Sequence, residues 1–158
     1  MFYEMFNYNW QVRDEWIEWC GSLCKEELSK RRTGGMGSIL HNLFHVIDCE
    51  QLWINQLQET PVIKKNMKAI TGLDEIKEFS NLTKKVSKSF VEKYENSNKE
   101  KLFTYSLKSG EKKQWTFDKV LYHIITHEIH HIGQLSIWAR EIGKKPISSD
   151  LIFKEIGL

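Results

Sequence analysis

The stretch FDKVLYHIITHEIHHIGQLSIWA, residues 117–139, sets Val120, Leu121, Ile124, Ile125, Ile132, Leu135, Trp138 and Ala139 at three- and four-residue spacings. That period is the signature of an α-helix with one apolar stripe. The same stretch carries His123, His127, His130 and His131. At roughly 100° per residue, positions four apart lie about 40° apart on a helix, so two imidazoles at that spacing can face one ion. His123/His127 and His127/His131 both qualify. The projection separates them: His131 falls just inside one edge of the apolar stripe and His127 borders it, whereas His123 and His130 lie further out. The pair His127 and His131 is thus placed where a helical bundle keeps its internal sites, and it points to a divalent metal. His123 and His130 read as neighbours of the ligands or as solvent-facing rings.

Two nitrogens do not make a tight site, since zinc and similar ions take at least three protein ligands. The embedded HEIHH fits the pattern of zinc peptidases, which take their third ligand from further downstream. After His131 the chain has no histidine, and its remaining carboxylates are Glu141, Asp150 and Glu155. Glu128 also projects near the middle of the apolar stripe, towards the core, so a peptidase is not the reading. The alternative lies upstream in GSILHNLFHVIDCEQLW, where His41 and His45 are again four apart. Periodicity does not choose between them. Glu50 lies near the centre of that helix's apolar face, a second carboxylate costly to bury alone. Glu50 and Glu128 read either as acceptors for ring N–H groups behind a metal site or as members of an inter-helix salt bridge or a subunit contact.

Outward from these two helices, the rest of the chain is also helical in pattern. Residues 5–29 carry Phe6, Trp10, Val12, Trp16, Ile17, Trp19, Leu23 and Leu28 on one broad apolar face. The glycines of RRTGGMGS then end that helix, with Gly37 or Ser38 as the cap of the next, which runs to about residue 58 before Pro61. A third helix is predicted over 73–94, with Asp74 and Glu75 in its first turn. In KLFTYSLKSGEKKQWTF the alternation around Ser109-Gly110 fits a short hairpin or an ordered loop. The helix of residues 117–142 follows, and Ser148 and Ser149 can cap a last short helix to residue 156. These elements predict an all-α fold, a four-helix bundle with a hairpin or loop before the last long helix and a crossover connection.

The 158 residues suffice for one domain, residues 1–158, with its own core. Basic and acidic residues nearly balance, 23 against 21, and are dispersed, which argues against nucleic acid as a partner. Apolar runs are too short to span a bilayer, so no membrane partner is expected and the protein should be soluble and cytoplasmic. Cys20, Cys24 and Cys49 match neither a disulfide framework nor a zinc ribbon, and read as reduced core thiols.

The order of the aromatic opening helix YNWQVRDEWIEWC, the junction RTGGMGSI, the helix HVIDCEQLW and the final HIITHEIHHIGQL resembles the DinB family of DinB/YfiT-like metalloenzymes. The resemblance covers most of the chain. It implies a three-histidine site formed by His45, His127 and His131 on one divalent ion per chain, zinc or nickel, with iron or manganese as further choices. It also implies an up-down-down-up bundle and a homodimer. Ile132 stands where an Arg often precedes Gly-Gln in the family, so a role for that basic side chain is not carried over.

Three neutral imidazoles leave such an ion its charge and open positions, which lowers the pKa of a bound water or binds a thiolate. Two enzyme classes follow: a hydrolase, with Glu128 or Glu50 as proton acceptor, and a transferase acting on a low-molecular-weight thiol, as in some relatives of this architecture. Transfer is the preferred reading. The contrasting class is a metal-containing stress or binding protein without turnover, which as a structural site would need a fourth ligand from His41, His123, His130 or Glu128.

Overall fold

The computed structural model describes residues 1–97 and 100–157; the polar connection ENSNKE lies partly outside them. Five α-helices and one two-stranded sheet are present among the described residues. Helix α1 (Phe2–Cys20) buries Phe6, Trp10, Arg13 and Ile17, spaced by four, three and four residues, so one face of the helix carries an arginine among its aromatics. The apolar spacing predicts that it continues to residue 29. Instead it stops at Gly21, where backbone bonds from Gly21, Ser22 and Leu23 reach back three residues and tighten the last turn. Glycine in a helix interior costs about 1 kcal/mol relative to alanine, and the continuation is not long enough to offset it. A separate short helix α2 (Lys25–Ser29) then places Leu28 in the core.

Helix α3 (Ile39–Leu57) starts at Ser38, whose hydroxyl accepts from the His41 N–H at 3.1 Å. Helix α4 (Leu73–Glu95) carries Asp74 and Glu75 in its first turn, as the sequence predicts. The antiparallel hairpin of β1 (Leu102–Ser106) and β2 (Lys112–Thr116) pairs Phe103 with Trp115 and Tyr105 with Lys113. It runs directly into helix α5 (Phe117–Glu141), capped by the Thr116 hydroxyl. The expected last helix is a single 3-10 turn at Leu151–Phe153, the segment being too short to propagate an α-helix. The tail is tied to α1 by Tyr8 donating to the Ser149 carbonyl and Trp19 to the Lys145 carbonyl.

Helix α3 packs against α4 and α5, and α1 packs against the same two from the other side. The core falls into two clusters. One gathers Trp16, Leu43, Ile47, Phe79, Leu135 and Trp138. The other gathers Phe6, Trp10, Ile54, Val91, Leu121 and Ile124. Arg13, Glu50 and Glu128 stand in sequence between members of the two clusters on α1, α3 and α5, so a charged layer divides the apolar interior. No helix among the described residues is long and apolar enough to cross a membrane.

Candidate metal centre

His45 on α3 and His127 and His131 on α5 are half-buried, and their donor atoms all lie within 4.8 Å of one another. Among the described residues this is the group of histidines, cysteines and carboxylates able to share an ion. The Nε2 atoms of His45 and His127 are 3.1 Å apart. Two nitrogens bound at about 2.0–2.1 Å to one ion at angles of about 90–110° stand roughly 3–3.4 Å apart, so this pair fits a shared divalent cation. The ring of His45 also lies edge-on to that of His131, with centroids 4.7 Å apart.

The electrostatics favour ligands over cations. Burial, followed by the neighbouring His131 and His45 rings, pushes the His127 pKa down to about 4. The His45 pKa is lowered by burial and then by His131. Both rings therefore keep a lone pair at neutral pH, the state an ion requires. His131 is oriented from behind: its Nδ1 lies 2.9 Å from the Gln134 Oε1, which can only accept, so the ring proton sits on Nδ1 and Nε2 is free. Its backbone carbonyl accepts from Asn42 Nδ2 at 2.7 Å, which ties α5 to α3 at the site. Asn42 Oδ1 in turn accepts from the Met36 N–H, so the glycine-rich junction closes over this end.

His41, His123 and His130 are not in the cluster. His123 is exposed, yet its ring packs 5.5 Å from that of His127 and 5.7 Å from the indole of Trp53. His130 lies beside Gln134. Ile132 is buried and packs in the core.

Glu50 and Glu128 are buried, 1% and 2% exposed, and Arg13, fully buried, holds both. Arg13 Nε donates to Glu128 Oε1 at 2.7 Å, and its Nη2 reaches Glu50 and Glu128 oxygens at 2.5 Å. Trp10 Nε1 donates to both Glu50 oxygens at 3.2 Å. The expected inter-helix salt bridge is present: the side-chain partners of these carboxylates are Arg13 and Trp10, and the oxygen acceptor facing His131 belongs to Gln134. Burial raises the Glu128 pKa while Arg13 works against it. Burial also opposes the Arg13 charge, but the two carboxylates outweigh it and hold the guanidinium protonated.

Arg13 and Gln134 were not singled out from sequence. Arg13 repeats the buried period of Phe6 and Ile17, and Gln134 stands one turn beyond His131, so helical spacing carried both signals. The cysteines are free; burial pushes the Cys20 and Cys49 thiols up to about 12, which keeps them protonated and unreactive.

The family model described as "DinB family" matches residues 1–157. A Bacillus subtilis (strain 168) protein bearing the name "Uncharacterized protein YizA" is similar as well, 41% identical over 149 residues that span 94% of this chain and 92% of the relative. With the three histidines converging between α3 and α5, the chain belongs to the DinB family.

Proposed function

We propose that His45, His127 and His131 hold one divalent ion, zinc or nickel ahead of iron or manganese, and that the protein is a metal-dependent thiol S-transferase. What carries this reading is the convergence of three half-buried imidazoles, two with lowered pKa, within 4.8 Å. A divalent ion in such a site supplies the positive charge that keeps a small thiol as its thiolate near neutral pH. The chain's part is to place the donors. His45 comes from one helix and His127 and His131 from another, Asn42 joins those helices, and Gln134 holds the His131 proton away from the cluster.

In the transfer itself the thiol proton passes to solvent, the sulfur forms a bond to an electrophilic carbon, and the leaving group departs with the electron pair of its own bond. Hydrolysis is the weaker reading because Glu50 and Glu128 are committed to Arg13 and neither is free to take a proton from water. The non-catalytic alternative, a metal-containing stress or binding protein, shares the site and differs only in turnover. The reading includes the family arrangement of the four long helices, up-down-down-up, and a homodimer.

The test is a transfer assay with zinc- or nickel-loaded protein, 1-chloro-2,4-dinitrobenzene, and cysteine, glutathione or coenzyme A as the thiol. A rate above background with at least one thiol, lost in His127→Ala, is expected. No rate with any of them, or an equal rate in His127→Ala, contradicts transferase activity on these substrates.

A further inference from the structure

One turn beyond the histidines, the seam between α3 and α5 opens into a cleft of about 260 Å³ lined by Trp53, Trp115, Lys119, Val120 and His123. Its walls come from three elements. Trp53 of α3 meets Trp115 of β2 edge-on at 6.2 Å between centroids and His123 of α5 at 5.7 Å. Tyr105 of β1 stacks on Trp115 at 5.7 Å and leans on Trp53 at 5.6 Å, so the hairpin braces the aromatic wall. Lys119 is the one lysine or arginine among the lining residues, and no carboxylate is among them. A cavity on the order of 150 Å³ accepts benzene, so this space suits a group of one or two rings.

Helical geometry places the cleft next to the metal centre. His45, Cys49 and Trp53 follow each other by four residues on α3, as do His123, His127 and His131 on α5. Each step is a little more than one turn, about 6 Å of rise. The His123 ring links the two places, packed on Trp53 at one side and on His127 at the other.

We infer that this cleft binds a planar aromatic group that carries no positive charge. Under the transfer reading proposed above, on which this second step rests, that group belongs to the electrophile, whose reactive carbon is thereby presented towards His127. The aromatic side chains of the lining favour a flat π-system, and the lack of a carboxylate leaves a cationic group without a partner there.

The probe is 2-naphthol, which is neutral, planar and unreactive towards thiols, titrated into protein labelled with 5-fluorotryptophan and followed by fluorine NMR. Trp53→Phe and Trp115→Phe assign two of the six tryptophan signals. The expected result is a saturable shift of those two signals alone. Binding should weaken about tenfold in Trp115→Ala, the loss of one aromatic contact, and recover in Trp115→Phe. Far-UV circular dichroism and metal content should match the wild type in both variants. No saturable shift up to the solubility of 2-naphthol, or equal affinity in Trp115→Ala, overturns the inference. Failure of the transfer assay with 2-naphthol binding intact removes the transferase reading and leaves the aromatic site standing.

Discussion

His131 and Gln134, one turn apart on α5, are joined by a 2.9 Å hydrogen bond between Nδ1 and Oε1 that fixes which imidazole nitrogen faces His45 and His127. Loss of such a bond behind a ligand typically lowers metal affinity by about 10–100-fold. Gln134→Leu should show that loss in a chelator competition, with unchanged helical content. Unaltered affinity would mean that His131 needs no support from Gln134.

Gly35 of the glycine-rich junction sits against Gln134 and Asn42. Its φ is +50°, and a Cβ there would stand 2.6 Å from Gln134 Oε1 and 2.7 Å from Asn42 Oδ1. Gly35→Ala must therefore push aside both side chains that hold His131. Gly37 also has a positive φ, +82°, but nothing lies within 4 Å of its added Cβ. Left-handed backbone in a residue with a Cβ costs about 1–2 kcal/mol. Gly37→Ala should lose about that much in urea unfolding and Gly35→Ala more, while Gly35→Ala alone loses metal affinity. Equal metal affinity in the two would show that the junction does not bear on the site.

Arg13 binds two carboxylates in a buried layer. Removing one partner of a buried ion pair costs about 3–5 kcal/mol, because the charge left behind has no solvent. Arg13→Met should fall in that range by urea denaturation, and Glu50→Gln with Glu128→Gln added to it should recover part of the loss. A change under about 1 kcal/mol in Arg13→Met would show that water reaches the layer and replaces the guanidinium.

His127 also sets a direction for pH. In the fold its pKa is depressed to about 4, against about 6.5 in an unfolded chain. Between those values the unfolded chain binds the extra proton, so stability is full above pH 6.5 and declines as pH falls through that window. His45 and His123 are shifted in the same direction. Metal-free protein should show a lower Tm at pH 5 than at pH 7.5, and His127→Gln should reduce the difference. An equal drop in both would place the pH sensitivity elsewhere.

The long helices were legible because their signals are local. Ser38 caps α3, Asp74 and Glu75 open α4, and Thr116 precedes α5, where the polar pattern places them. The first helix was read too long because the apolar spacing continues through Leu23 and Leu28, and only the turn at Gly21 shows that Leu28 belongs to a second helix. His127 and His131 were legible from spacing against the stripe of their own helix. His45 was not separable from His41 in that way, since both are half-buried on α3, and the family pattern named it. The aromatic cleft was not visible at all: Trp53, Trp115 and His123 come from three elements, and only their packing joins them.

The measurement that bears most directly on the account is elemental analysis of untagged protein, as isolated and after reconstitution, beside His45→Ala, His127→Ala, His131→Ala and His41→Ala. About one divalent ion per chain is predicted in the wild type and in His41→Ala, with loss of it in the other three, as expected when a three-ligand site loses one donor. No ion in the reconstituted wild type, or one kept by His45→Ala, would contradict the three-histidine centre.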